Sequence, residues 1–292
     1  MVFTTRFAPS PTGPLHLGHA YSALLAHDLA QQAGGRFLLR IEDIDQSRAR
    51  PEWEAQIYDD LAWLGLTWEE PVLRQSDHLP RYRAALARLW DDGLLYPCTC
   101  RRKDIENALS APQEGVPTHG PDGLIYPGTC RETGTSGRNS GSGEQMPEDA
   151  VLRLNIEKAL ARTGALRFSE EGTGPDGETG QIALPADQIL AATGDIIVAR
   201  KDMGTSYHLS VVVDDAAQGI SHVTRGQDLF EATQIHCVLQ DLLGLPRPIY
   251  HHHRLIRDDQ GKRLAKRDDA RAIATYRDEG LSPADLRRMV RL

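Results

Sequence analysis

The first hundred residues alternate between two hydrophobic periods. VFTTRFA (2–8) reads as a short buried strand, and PSPTG then turns the chain, because two prolines fix φ and Gly13 relieves the backbone. Residues 15–32 read as a helix, with Leu17, Ala20, Tyr21, Leu24, Leu25 and Leu29 near a 3.6-residue period and Gly34-Gly35 as its stop. RFLLRIE (36–42) reads as a second strand. Residues 51–64, opened by Pro51, and residues 79–92 read as further helices. Strand, helix, strand, helix is a βαβ pattern and implies a parallel sheet.

The rhythm breaks at Pro97. Residues 97–130 hold three of the four cysteines, and 134–143 contain seven Gly or Ser in ten residues, the composition of a flexible loop. VLRLNI (151–156) is strand-like and EEGTGPDGETG (170–180) is rich in turn residues. Regular α/β character returns with DIIVARKD (195–202), the apolar run LSVVVDD (209–215) and a helix over 230–243. The expected architecture is an α/β fold: a Rossmann-like parallel sheet in two halves, 1–96 and 191–292, split by an insertion over 97–190.

Composition narrows the classes. With 292 residues, 40% apolar and 25% charged, the chain can build a core and is no disordered tail. A mean hydropathy of -0.42 and the lack of any run of eighteen apolar residues exclude a membrane-spanning helix. The start, MVFTTRFAPSPTG, does not follow the charged-then-apolar pattern of a signal peptide, so the cytoplasm is the expected compartment. The net charge of -8 argues against sequence-blind nucleic-acid binding over a broad basic surface. Residues 254–271 nevertheless carry seven Lys or Arg against four Asp, either a solvated charged face or a contact for a polyanion.

Two segments suggest phosphate chemistry. In PSPTGPLHLGHA, His16 and His19 share one face of a helix's first turn, and Gly18 keeps side-chain bulk away between them. A helix start offers N–H groups and partial positive charge to a polyphosphate, and two imidazoles add donors for charge developing on it. Two histidines at a helix start can equally be structural. GKRLAKRDDA (261–270) places Lys262 and Lys266 four apart behind a DDQG turn, as an exposed basic loop or as a second clamp on the same phosphates. Cys98, Cys100 and Cys130 with one further ligand would make a closed tetrahedral zinc site, unless the thiols stay unmetallated. Cys237 reads as a core thiol.

HxGH after the first strand, with a late lysine loop like KMSKS, resembles the class I aminoacyl-tRNA synthetases. The phrases RFAPSPTGPLHLGHA, LRIEDID, YHLSVVVDD and HVTRGQDL resemble the glutamyl branch in particular, over nearly the whole chain apart from 132–148. The resemblance implies that His16, Gly18 and His19 hold ATP, and that Lys266 stabilises the departing pyrophosphate. Arg263, Ala265 and Arg267 depart from the KMSKS pattern, which puts the mobility of that loop in question. The resemblance further assigns Glu42 to the ammonium of glutamate, Arg6, Ala8 and Ser10 to the pocket wall, and Tyr207 and Arg225 to its completion. Arg225 is suited to grip the side-chain carboxylate in bidentate fashion. It names Tyr126 as the fourth zinc ligand, although His119 is the chemically more usual choice. Mg²⁺ is expected on the phosphates, held largely by ATP and water.

Only 26 residues follow Lys266, with one short helix in LSPADLRRMV, so no anticodon-binding domain is expected. The chain therefore looks like the truncated glutamyl-Q tRNA(Asp) synthetase family, which activates glutamate without tRNA and attaches it to queuosine in the tRNA(Asp) anticodon. The implied partners are L-glutamate, ATP and queuosine-containing tRNA(Asp), with a monomer as the expected state. The alternatives are a minimal glutamyl-tRNA synthetase charging a tRNA 3′ end, and a non-catalytic zinc protein that binds RNA.

Overall fold

The computed structural model describes residues 2–109, 117–133, 145–257 and 271–292. Strand β1 (Thr4–Phe7) runs through the PSPTG turn into helix α1 (Leu17–Gln32), which returns the chain to β2 (Arg36–Ile41). The strands pair in parallel, Thr4 opposite Arg36 and Phe7 opposite Leu39. The return is tight: a Cβ on Gly35 would lie 2.3 Å from the carbonyl oxygen of Phe3, so a side chain cannot be accommodated there. α2 (Pro51–Trp63) leads to β3 (Glu69–Arg74), parallel to β2. EEPVLR carries no apolar period, because β3 is an exposed edge strand on which a proline and three charges are tolerated.

α3 (Leu79–Asp91) buries Tyr82, Leu86, Leu89 and Trp90 and delivers the chain to β4 (Leu95–Cys98). The cysteine-bearing segment follows as α4 (Arg102–Leu109), β5 (His119–Gly120), β6 (Gly123–Leu124) and α5 (Thr129–Thr133). The Gly/Ser tract at 134–143 lies outside the described residues. β7 (Val151–Leu154) then pairs antiparallel with β4. After it come α6 (Ile156–Leu160), β8 (Leu166–Glu170), β9 (Gly180–Leu184) and α7 (Ala186–Thr193). β10 (Ile197–Ala199) takes the other edge of β7, completing a small antiparallel sheet.

Asp195 ties this sheet to the cysteine segment. Its carboxylate accepts from the Tyr96 hydroxyl, from Arg131 at 2.5 and 2.7 Å, and from the Ile156 amide at 2.9 Å. A buried carboxylate with that many donors has its desolvation offset in full.

The apolar run at 209–215 is part of a helix, α8 (Tyr207–Ala217), capped by the Ser206 hydroxyl. Leu209 to Asp215 are all buried, the polar Ser210, Asp214 and Asp215 included, so the unbroken stretch of Leu and Val reflects burial on nearly every side rather than strand character. A second βαβ unit follows: β11 (His222–Gly226), α9 (Thr233–Leu243) and β12 (Ile249–His253), with His222 opposite Ile249 and Gly226 opposite His253. β8 joins β12 in parallel and β9 covers its far edge. Residues 166–184, within the expected 97–190 insertion, thus hydrogen-bond into the second parallel sheet. The pairing of Glu170 with Tyr250 spans eighty residues, which no local pattern encodes.

The two parallel sheets meet at β1 and β11. The Ser221 amide donates to the Thr4 carbonyl at 2.9 Å, and the Thr4 amide donates to the Ser221 hydroxyl at 2.8 Å. Residues at the C-terminal ends of β1, β2, β11 and β12 consequently line one cavity, the crevice where ligands of open α/β sheets bind. α10 (Ile273–Asp278) and α11 (Pro283–Val290) close the chain, with Arg287 of α11 paired to Asp28 of α1 at 2.6 and 2.9 Å. No helix of the described residues is long and apolar enough to cross a membrane.

Candidate active site

The cavity at the strand ends has a volume of about 250 Å³ and brings together Arg6, Ala8, His16, Gly18, His19, Glu42, Tyr207 and Arg225. Ser10 lies apart from them. It lines a neighbouring cavity of about 530 Å³ that shares Glu42 and Tyr207 with the first. Lys262 and Lys266 lie outside the described residues. The segment that follows them is nevertheless pinned to the histidine turn: the Ile273 amide donates to the Leu15 carbonyl at 2.9 Å, and Ala272 bridges to His16.

His16 is the N-cap of α1. Its Nδ1 accepts from the Gly18 amide at 3.1 Å, and its own amide donates to His19 Nδ1 at 3.1 Å, a capping box built from imidazoles. The expected arrangement of free amides is thereby modified, since two of the N–H groups at this turn are already satisfied by ring nitrogens. Because Nδ1 is the acceptor in each ring, the neutral imidazoles carry their protons on Nε2. Positive character at the turn is thus offered through imidazole N–H groups. Gly18 is needed for the same reason: a Cβ there would stand 3.0 Å from His16 Cε1 and press on the capping ring.

Beneath the cavity lies a buried charge network. Arg40, fully buried, donates to Asp215 at 2.7 Å and to Glu42 at 3.2 Å; Arg6 donates to Asp215 at 2.8 and 3.2 Å. Burial works against the Asp215 carboxylate, yet the guanidiniums of Arg6 and Arg40 hold it below the usual range. Glu42 goes the other way. Burial pushes its carboxyl above the ordinary value, and Arg40 and Arg6 only partly offset this. Burial likewise keeps the Tyr207 phenol protonated, as a neutral donor.

Arg225 differs from Arg6 and Arg40. Its Nε donates to His252 Nε2 at 3.0 Å, Nη1 to His236 Nδ1 at 3.0 Å, and Nη2 to the Thr233 hydroxyl at 2.6 Å. No carboxylate among the described residues stands within ion-pair distance of it. His252 is oriented in turn by Glu170, whose carboxylate meets Nδ1 at 2.5 Å. His253, another wall residue, has Nε2 2.6 Å from the Ser22 hydroxyl and is pushed down to about 4 by burial. Sequence reasoning missed Arg40, Asp215, His236, His252 and His253. The run His251-His252-His253 at the end of an apolar segment was the one visible signal.

The three cysteine sulfurs lie within 4.8 Å of one another. The Tyr126 oxygen is 3.5 Å from Cys98 Sγ and 3.3 Å from Cys100 Sγ, and it accepts from the Cys130 amide at 2.8 Å. Arg153 stacks over the Tyr126 ring at 3.8 Å and donates to Cys98 Sγ at 3.3 Å. Burial opposes ionisation of Cys130, but hydrogen bonds from Tyr126 and the Thr99 backbone bring its thiol down to about 6. His119 is not in this group: it is exposed, with Nδ1 against the Thr118 hydroxyl. Cys237 is fully buried in the core, and burial raises its thiol to about 12.

A parallel α/β crevice with an HxGH turn on the first helix is the nucleotide site of class I aminoacyl-tRNA synthetases. The chain belongs to their glutamyl and glutaminyl branch: the family of class I tRNA synthetases (E and Q), catalytic domain, matches residues 2–292. It is 63% identical over 288 residues to the glutamyl-Q tRNA(Asp) synthetase of Rhodobacter capsulatus, covering 99% of both chains. It is 34% identical to the glutamate–tRNA ligase of Aquifex aeolicus, over 97% of this chain and 55% of that one. Among solved structures, a glutamate tRNA ligase from Elizabethkingia meningosepticum in complex with its amino acid superposes with a TM-score of 0.73 at 25% identity. That match covers 97% of this chain, which spans 59% of the length of the other.

An ammonium held by Glu42 requires the ionised carboxylate, and burial raises the pH at which that form is lost. The KM for an amino-acid substrate should therefore climb as pH falls, beginning above the ~4.3 midpoint of an ordinary glutamate. Substitution Glu42→Gln should raise KM and flatten that rise; a wild-type KM constant from neutrality down to pH ~4.5 would remove Glu42 from the ammonium site.

Proposed function

We propose that the chain activates L-glutamate with ATP as glutamyl-adenylate, without tRNA present, and transfers the glutamyl group to queuosine at the wobble position of tRNA(Asp). The observation that carries the choice of amino acid is Arg225, a buried cation held only by neutral acceptors, which leaves its charge to a side-chain carboxylate. Glutamine would leave that charge unpaired in a desolvated site. Glu42 takes the ammonium, and Arg6 and Tyr207 line the wall between them. The choice of acceptor is supported by the name of the Rhodobacter capsulatus relative and by identity along its whole length.

Activation needs no covalent enzyme intermediate. The glutamate α-carboxylate attacks the α-phosphorus of ATP, a new O–P bond forms, and pyrophosphate leaves. His16 and His19 hold the phosphates through imidazole N–H groups, and Lys266 neutralises the departing pyrophosphate. The anchorage of 272–273 on Leu15 and His16 supports the lysine segment reaching that turn. ATP would enter as its Mg²⁺ complex. The protein's own contribution is positioning and charge stabilisation.

The sulfur cluster supports a structural zinc ion held by Cys98, Cys100, Cys130 and Tyr126. Zinc bonds of about 2.3 Å to sulfur and 2.0 Å to oxygen give a tetrahedron with edges of roughly 3.5–3.8 Å. The Tyr126-to-sulfur distances of 3.3 and 3.5 Å and the Cys100–Cys130 separation of 3.4 Å suit that figure. Purified protein should contain about one zinc per chain. Cys100→Ser should lower the zinc content and loosen residues 97–130, whereas Cys237→Ser should leave the zinc content intact. Elemental analysis finding no zinc in freshly purified protein would remove the metal from the account.

The acceptor is tested by locating the label. Radiolabelled glutamate should appear on tRNA(Asp) from queuosine-producing cells, and on an isolated anticodon stem-loop carrying queuosine. Removal of the 3′-terminal adenosine should not prevent it. Label on queuosine-free tRNA(Glu), lost with that adenosine, would show a minimal glutamyl-tRNA synthetase instead.

A further inference from the structure

A line of polar contacts, two hydrogen bonds and then an approach of His208 to the Asp122 carboxylate, runs from one cavity to the neighbouring one through two buried histidines. Arg225 Nη1 lies 3.0 Å from His236 Nδ1, His236 Nε2 lies 3.1 Å from His208 Nδ1, and His208 Nε2 lies 3.4 Å from Asp122 Oδ1. A guanidinium can only donate, so His236 Nδ1 must accept and the His236 proton sits on Nε2. That proton faces His208 Nδ1, which places the His208 proton on Nε2, toward the Asp122 carboxylate. Every link therefore points the same way, with the anion at the far end. His236 is 1% exposed, and burial, reinforced by the neighbouring Arg225, keeps it far on the neutral side.

The opposite arm of Arg225 follows the same rule. His252 Nε2 accepts from Arg225 Nε, and Glu170 receives the His252 Nδ1 proton at 2.5 Å. In each arm a neutral imidazole, not a carboxylate, accepts from the guanidinium, with the anion standing behind it: Glu170 directly on His252, and Asp122 one histidine further back through His208. Arg6 and Arg40, by contrast, are bonded to Asp215 directly. The fold thus holds Arg225 by three hydrogen bonds to neutral acceptors, with no counter-ion at ion-pair distance among the described residues.

We propose that His236, oriented through His208 by Asp122, is a specificity-determining positioning residue: it fixes Arg225 through a neutral acceptor and so reserves the guanidinium charge for an anionic side chain of the substrate. The inference rests on reading the cavity as the glutamate site. Asparagine and aspartate test it as a pair, because Oδ1 of either can stand where Nδ1 stands, and the two are matched in shape but differ in charge and in the donor that asparagine keeps at Nδ2.

The measurement is ATP–pyrophosphate exchange with glutamate and with glutamine, using the full chain and following KM for each amino acid and for ATP. His236→Asn should keep the preference for glutamate over glutamine within about tenfold of wild type. His236→Asp should raise the glutamate KM by about 30-fold or more and collapse the preference, with the ATP KM within about twofold. A folded His236→Asp enzyme with an unchanged preference overturns the proposal. If that variant does not fold, His236→Leu decides: removal of the acceptor without added charge should raise the glutamate KM about tenfold, and an unchanged KM overturns the proposal. Wild-type enzyme that activates another amino acid and not glutamate would instead refute the underlying assignment of the cavity.

Discussion

Charge burial governs the crevice of this fold. Arg6, Arg40, Glu42 and Asp215 converge below the cavity floor, two cations against two anions, and neither Arg40 nor Asp215 has water to fall back on. Desolvated charges persist only when partnered, so this cluster fixes the ends of β1, β2 and α8 relative to one another. Arg225, a few residues away on β11, is the deliberate imbalance. Its three neutral acceptors take one N–H on each nitrogen and leave a net positive charge on one wall of a cavity that also holds Glu42, whose ionisation burial opposes. A ligand carrying one ammonium and one side-chain carboxylate relieves both at once.

Around this centre the fold supplies two further devices. The imidazole capping box at the start of α1 holds His16 and His19 with rings 3.8 Å apart and protons on Nε2, ready for anionic oxygen. Asp195 fastens the cysteine segment to the antiparallel sheet through Tyr96, Arg131 and Ile156. Tyr207 and Glu42 stand in both cavities, so the two adjoin.

Much of this was legible in the chain, and for identifiable reasons. His16 and His19 open a helix, a position that local periodicity locates well, whereas Glu42 and Arg225 entered through the family resemblance. α1, α2 and α3 were legible because their apolar periods are long and end in glycine or open with proline. The junction of β8 with β12 was not, since each strand pairs mainly with a nearer partner, β9 and β11, and the two meet only where Glu170 faces Tyr250, eighty residues away. The second tier of the site shares that problem. His236 and His252 come together only when β12 and α9 dock beside β11, and Asp215 sits in an apolar run whose helical form is set by burial. Ser10 was placed on the glutamate wall by resemblance, whereas the turn after β1 carries it to the adjacent cavity.

The account rests on an arginine charge that only the substrate neutralises, and Arg225→Ala tests it most directly. Loss of a buried charge partner costs roughly 2–5 kcal/mol, so the glutamate KM in ATP–pyrophosphate exchange should rise by about 30-fold or more. The KM for ATP should stay within about twofold, because Arg225 bonds to His252, His236 and Thr233 and not to the histidine turn at the start of α1. A glutamate KM unchanged by the substitution would contradict the account.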